Sequence, residues 1–155
     1  NYANQSSYKS ILGGLLIQDL DTSEDNTDEW DVVTDIKPTE EEFKDLKFSW
    51  NICKHVKSNA IVVSKELRTI GIGAGQMNRV GAAKIALESA KENSQGAVLA
   101  SDGFFPFADS VEIANKFGIK SIIQPGGSLR DQESIDTCNK LNISMIFTKK
   151  RHFLH

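Results

Sequence analysis

At 155 residues, 39% hydrophobic and 25% charged, the chain has the size and composition of one globular domain, able to bury about two-thirds of its unfolded surface. A net charge of −3 excludes broad nucleic-acid binding, which needs a basic face, and no apolar run approaches the roughly 20 residues that span a bilayer. Cys53 and Cys138 lie far apart without Cys-x-x-Cys spacing, so neither a disulfide framework nor a zinc site is expected and a reducing cytoplasm suits the chain.

The chain begins at Asn1 rather than Met, without a signal-peptide pattern, as expected of a piece of something longer. Residues 1–38 read as an N-terminal segment holding a short strand and an acidic loop. The apolar run Leu12-Gly13-Gly14-Leu15-Leu16-Ile17 precedes eight acids from Asp19 to Asp35, with no Lys or Arg among them. A calcium loop fails there, because Glu24 stands where an EF-hand needs glycine, and a solvated acidic loop is expected instead.

A regular domain is predicted over 39–155. Thr39 and Glu42 form a capping box, and Phe43, Leu46, Trp50 and Cys53 recur at helical spacing, which predicts a helix over 40–56. Ala60–Ser64 and Thr69–Gly73 read as strands joined by a short polar turn. A helix over about 76–93 follows, with Val80, Ala83, Leu87 and Ala90 on one face. Ala97–Ala100 is strand-like and leads to a helix near 109–117 that Gly118 caps. Ser121–Ile123 forms a strand. Ser128 with Asp131 marks the start of another helix, and Ile143–Phe147 closes the chain as a strand. This α-β-β-α-β-α-β-α-β order predicts an α/β fold, a three-layer α/β/α sandwich around a mainly parallel five-stranded sheet.

Three loops between these elements have the composition of a binding edge. Ser101-Asp102-Gly103-Phe104-Phe105-Pro106-Phe107-Ala108-Asp109 follows a strand and sets aromatic faces beside carboxylates, as a ligand loop or a hydrophobic plug. Gly71-Ile72-Gly73-Ala74-Gly75-Gln76 fits neither a dinucleotide fingerprint nor a P-loop. Its glycines permit close backbone approach to a ligand or tight strand packing. Gln124-Pro125-Gly126-Gly127-Ser128 repeats the theme at another strand end. Asn59 is suited to hydrogen bonding a ligand amide, and the basic tail Lys149–His155 reads as a solvated end or an anion site. No nucleophile elbow and no His-Glu-x-x-His occurs, so these parts predict binding rather than a complete catalytic set, with no metal.

Taken together, the motifs resemble the C-terminal part of the AICAR transformylase domain of the bifunctional AICAR transformylase/IMP cyclohydrolase family. The similar runs are Gly13–Asp19, Lys57–Val62, Gly71–Met77 with Arg79, Ala100–Asp102 with Phe104–Phe107 and Asp109, Gln124–Ser128 with Arg130-Asp131, and Arg151–Phe153 with His155. The resemblance implies the second of two cytidine-deaminase-like repeats. It also implies formyl transfer from the co-substrate 10-formyltetrahydrofolate to AICAR, in a cytoplasmic homodimer with active sites at the subunit interface. By the same resemblance Asn59 bonds the AICAR carboxamide, Phe104 packs on its imidazole and Arg151 holds its phosphate. Arg79, Val80, Asp109, Ser128 and Leu129 match the folate positions. The family's adjacent catalytic Lys-His pair belongs to the first repeat, so Lys54-His55 takes no such role and no catalytic residue is assigned. The resemblance also implies a first repeat and a cyclohydrolase domain beyond these residues. Ala108 stands where the family usually has Arg. A non-catalytic nucleotide- or folate-binding module is the alternative reading.

Overall fold

The computed structural model describes residues 5–155, so residues 1–4 of the predicted segment 1–38 lie outside the described part. The chain opens with β1 (Ser6–Ile11) and β2 (Gly14–Asp19), an antiparallel hairpin apart from the main sheet, and a 3-10 turn over Thr27–Glu29 precedes β3 (Asp31–Val32). Helix α1 (Glu40–Cys53) begins at the Thr39–Glu42 capping box, both of whose hydrogen bonds are present. Such a box satisfies amide groups that a helix start otherwise leaves without partners.

Strands β4 (Ile61–Lys65) and β5 (Arg68–Gly73) are joined by Glu66 and Leu67, both at φ +54°. The Asp45 carboxylate of α1 accepts both turn amides, from Glu66 N at 2.9 Å and from Leu67 N at 2.7 Å. A side chain on the helix therefore fixes a turn that non-glycine residues otherwise resist. Helix α2 (Arg79–Ala90) starts at Asn78, whose side chain accepts from Gly81 N at 2.7 Å. Then come β6 (Val98–Ser101), α3 (Asp109–Lys116), β7 (Ser121–Gln124), α4 (Asp131–Leu141) and β8 (Ser144–Phe147). Gly118, at φ +78°, ends α3 as its spacing predicts. The Ser128–Asp131 start signature works differently from a capping box. Arg130 occupies the cap position without a side-chain bond, while Asp131 accepts from Gly127 N at 2.7 Å and Ser128 Oγ from Arg130 N at 3.1 Å.

The sheet corrects the expectation of five mainly parallel strands. It has six, in the order β3-β8-β7-β6-β4-β5, and is mixed: β6, β7 and β8 run parallel, while β4 opposes both β5 and β6 and β3 opposes β8. A two-residue turn permits only an antiparallel β4–β5 pair. Helix α2 then carries the chain across β4, so β6 runs with β5 and against β4. The sixth strand, β3, comes from the acidic segment.

Alternate residues of the central strands separate two apolar clusters. Val62, Val98, Ala100, Ile123 and Ile146 pack with Leu46, Trp50 and Cys53 of α1. Ile61, Val63, Leu99, Ile122 and Met145 pack with Ala82, Ala86 and Leu87 of α2, Val111 and Ala114 of α3, and Cys138 of α4. The sheet is thus covered on both faces, and polar chemistry is displaced to the ends of its strands.

Candidate functional site

The amino end of β4 lies beside the carboxyl ends of β5 and β6, since Ile61 pairs with both Gly73 and Ser101. Gln124 pairs with Phe147 at the matching ends of β7 and β8. All three loops read as binding candidates leave from this one edge. Cross-links hold them there: Asp102 N donates to Ala60 O (3.3 Å), Phe105 N to the Gln124 side chain (2.9 Å), Lys149 N to Pro125 O (3.0 Å) and His152 N to Asp102 O (3.1 Å). The chain end is also stitched to the start of β4 by Ser58 N donating to Leu154 O at 2.9 Å.

Beneath the edge lies a buried polar network. Asp102 is fully buried and pairs with the Arg79 guanidinium and the Ser58 hydroxyl. Arg79 also donates to Ser101 Oγ at 3.1 Å and to Asn59 Oδ1 at 3.0 Å, and Asn59 Nδ2 donates to Gln76 O at 2.8 Å. This chain of bonds orients the Asn59 amide: its oxygen faces arginine and its nitrogen faces a backbone carbonyl, which leaves one N–H and one lone pair for a ligand. Burial pushes the Cys53 thiol well above its ordinary pKa, and the nearby Asp102 charge pushes it the same way.

Above the network Asn59, Met77, Asn78, Arg79, Phe104, Pro106 and Phe153 line an open cleft of about 260 Å³. Arg151 stands at its side with its guanidinium 5.0 Å from the centre of the Phe104 ring, a cation–π distance. A Cβ at Gly103 would fall 2.4 Å from the Arg79 guanidinium and 3.1 Å from the Phe153 ring, and one at Gly127 would lie 3.7 Å from Arg151. Glycine at 103 therefore leaves room for both side chains. The aromatic loop serves as both plug and cleft wall, because Phe105 is fully buried while Phe104 is half-buried and faces the opening.

The structure thus brings Asn59, Phe104 and Arg151 together. Of the positions expected for folate, Arg79 lines the cleft, with its guanidinium engaged by protein partners. Val80 follows it, half-buried, in the first turn of α2. Asp109, Ser128 and Leu129 stand on the adjoining loops and are not among the cleft's lining residues. Asp109 accepts from Ser110 N at 2.7 Å, and Leu129 is fully exposed. Those two loops are clasped by Arg130, 4.8 Å over the Phe107 ring. The open question over Gly71 and Gly73 resolves to packing. A Cβ there would sit 2.0 Å from Ala86 O and 1.9 Å from Ala82 O, so the glycines let β5 lie directly on α2.

Sequence reasoning missed Asp102 as the partner of Arg79 and missed Ser58. The signal was an aspartate set between an apolar strand and a glycine, but its partner lies across the sheet. The acidic segment is largely solvated as expected, with Asp19, Glu24, Asp28, Glu29 and Asp35 exposed, but it also has partners: Asp21 and Asp25 flank the buried His152 ring, Lys150 pairs with Asp25 at 3.4 Å, and Lys149 with Asp31 at 2.7 Å. Of the tail read as a solvated end or an anion site, Lys149, Lys150 and His152 face the acidic segment. Among the described residues no helix is long and apolar enough to cross a membrane.

Comparison with known proteins bears on the same segments. A family model described as AICARFT/IMPCHase bienzyme matches residues 1–89. The bifunctional purine biosynthesis protein PurH of Prochlorococcus marinus subsp. pastoris (strain CCMP1986 / NIES-2087 / MED4) is 66% identical over 152 residues, covering 98% of this chain and 29% of that protein. The PurH of strain AS9601 is 69% identical over the same length, covering the same shares. The chain therefore spans less than a third of the curated relatives it matches. Among solved structures, RibD of Acinetobacter baumannii (form 1) aligns with a TM-score of 0.48 and 17% identity, over 67% of this chain and 35% of that one.

Proposed function

This chain belongs to the AICARFT/IMPCHase bienzyme family, and on that premise we propose that it supplies the C-terminal part of a transformylase that moves a formyl group from 10-formyltetrahydrofolate to the 5-amino group of AICAR. One observation supports the reading above the rest. An amide-bearing side chain, two aromatic rings and an arginine, from loops far apart in sequence, meet around a single cleft. That is the set a phosphorylated heterocycle with a carboxamide requires.

In the proposed reaction the amine nitrogen bonds to the formyl carbon and the bond from that carbon to folate N10 breaks. The amine gives up a proton and N10 gains one. Asn59, already oriented by Arg79, offers its remaining N–H to the carboxamide. Phe104 packs against the imidazole on the face that Arg151 leaves open, and Arg151 takes the phosphate. The folate is held by Arg79, Val80, Asp109, Ser128 and Leu129, with Asp109 accepting from the pterin. The catalytic base belongs to the first repeat, and the working unit is a cytoplasmic homodimer with its sites at the subunit interface. The cytidine-deaminase-like layering is part of the same proposal.

A second reading applies to the segment by itself. Among the described residues the cleft is lined without His, Lys, Asp or Glu, so none of them serves as a general base in its wall, and the segment alone acts as a nucleotide- or folate-binding module. Arg151→Ala in the full-length enzyme tests the shared part of both readings. AICAR affinity measured by calorimetry should fall by about 1.5–3 kcal/mol, the worth of a charge-assisted contact. Unchanged affinity would refute the phosphate assignment.

A further inference from the structure

The acidic segment after β2 and the chain end after β8 form one cross-linked unit beside the cleft. His152 is fully buried, and its ring lies 4.7 Å from that of Trp50. Nδ1 is hydrogen-bonded to Asp21 Oδ2, and Nε2 stands 3.4 Å from Asp25 Oδ2 without hydrogen-bond geometry. Lys150 Nζ reaches Asp25 and the Glu24 carbonyl, and Lys54 Nζ donates to Ser23 O at 3.2 Å. Gln18 bonds the backbone on both sides of Leu154, at Phe153 O and His155 N. These three groups do not form a metal-binding cluster among the described residues. Burial works to raise the Asp21 carboxyl, but hydrogen bonds from Ser23 and His152 and the His152 charge hold it below its usual value.

His152 is the residue between Arg151 and Phe153. Arg151 and Phe153 are both exposed, while His152 between them is buried. Locking the middle one inward therefore turns its neighbours outward, toward Phe104 and the cleft. We propose that His152 is a positioning residue for nucleotide binding: the clamp of Asp21 and Asp25 on its ring sets the backbone so that Arg151 stands over Phe104 and beside Gly127, at the place of the phosphate. This rests on the reading of Arg151 as the phosphate contact. It assigns the acidic segment a task, as the strap that holds the phosphate-binding arm.

The strap predicts a loss confined to the phosphate. Asp21→Asn keeps the shape of a side chain that is 35% exposed, and His152→Gln keeps a hydrogen-bonding group in the buried pocket. In the full-length enzyme each should weaken calorimetric binding of AICAR by about tenfold, a displaced charged contact read as a ratio of dissociation constants. Neither should alter binding of the corresponding nucleoside, which lacks the phosphate. The double variant should lose no more than His152→Gln alone, because the Asp21 contact is already broken in that variant. Equal losses for nucleotide and nucleoside would overturn the proposal in favour of plain structural support, and unchanged nucleotide binding would overturn it too. Arg151→Ala separates the layers. If it shows the phosphate-selective loss and the strap variants do not, only the positioning inference fails. If it shows none, the phosphate reading fails and the inference goes with it.

Discussion

Replacing Arg79 with methionine probes the network on which the cleft stands. The methionine keeps most of the side chain's apolar length but removes every donor from the guanidinium. Asp102, with no accessible surface, would retain the Ser58 hydroxyl as its remaining side-chain partner. Asn59 Oδ1 and Ser101 Oγ would lose the same donor. Removing one member of a buried ion pair costs about 3–5 kcal/mol, because the other is left charged and without compensation. For a chain of this size, with m near 2 kcal/mol/M, that is a fall of roughly 2 M in the urea midpoint. The remedy is as informative as the damage. Adding Asp102→Asn to Arg79→Met removes the stranded charge and should restore at least half of the lost stability. Urea unfolding followed by tryptophan fluorescence reads both variants. A loss below about 1 kcal/mol in the single variant, or no recovery in the double one, would refute the claim that this pair is a mutual dependence.

Gly73→Ala should destabilise by about 3 kcal/mol or more, because its Cβ would meet the backbone oxygen of Ala82 at 1.9 Å, where no side chain can step aside; a midpoint within error of the parent would mean that β5 and α2 can separate freely. Neither Cys53 nor Cys138 should react with a thiol reagent at pH 8 in the folded protein, and both should react in urea. Burial raises the Cys138 pKa to about 12 and the Cys53 pKa well above normal, leaving almost no thiolate to attack. Rapid labelling of either in the native state would contradict that burial.

What the sequence revealed divides along physical lines. The Thr39–Glu42 box and the Gly118 stop are contacts between residues a few positions apart, and they read directly. So did the order of helices and strands from α1 to β8, because periodicity is local, whereas the single short strand expected before it is a two-stranded hairpin followed by β3. Strand direction was less accessible. A short polar turn between Ser64 and Thr69 is legible, but it forces an antiparallel pair only once its two residues Glu66 and Leu67 are known, and nothing local brings β3 to the far edge of the sheet. The cleft was legible through Asn59, Phe104 and Arg151 because each belongs to a compact motif. Asp102 sat in plain view within one of those motifs, yet its meaning depends on Arg79, which reaches it from α2. Gly71 and Gly73 show the reverse failure: a glycine that admits a ligand and one that admits a helix look the same as letters. The strap was invisible because eight acids without a basic neighbour read as a solvated loop until their partners arrive from the other end of the chain.

That separation has a consequence for the order in which the molecule is built. The β4–β5 hairpin closes between Lys65 and Arg68, whereas the contacts of Gln18 with Phe153 and of Asp21 with His152 span 135 and 131 residues. Loop-closure entropy rises by about 0.6 kcal/mol per doubling, so closing the long contact costs roughly 3 kcal/mol more than closing the turn. Contacts so distant are rewarded only after the intervening core has condensed. A folding chain is therefore expected to pass through a stage in which both faces of the sheet are packed while the chain end after β8 still swings free. The cleft is completed as a separate and later event than the acquisition of the fold.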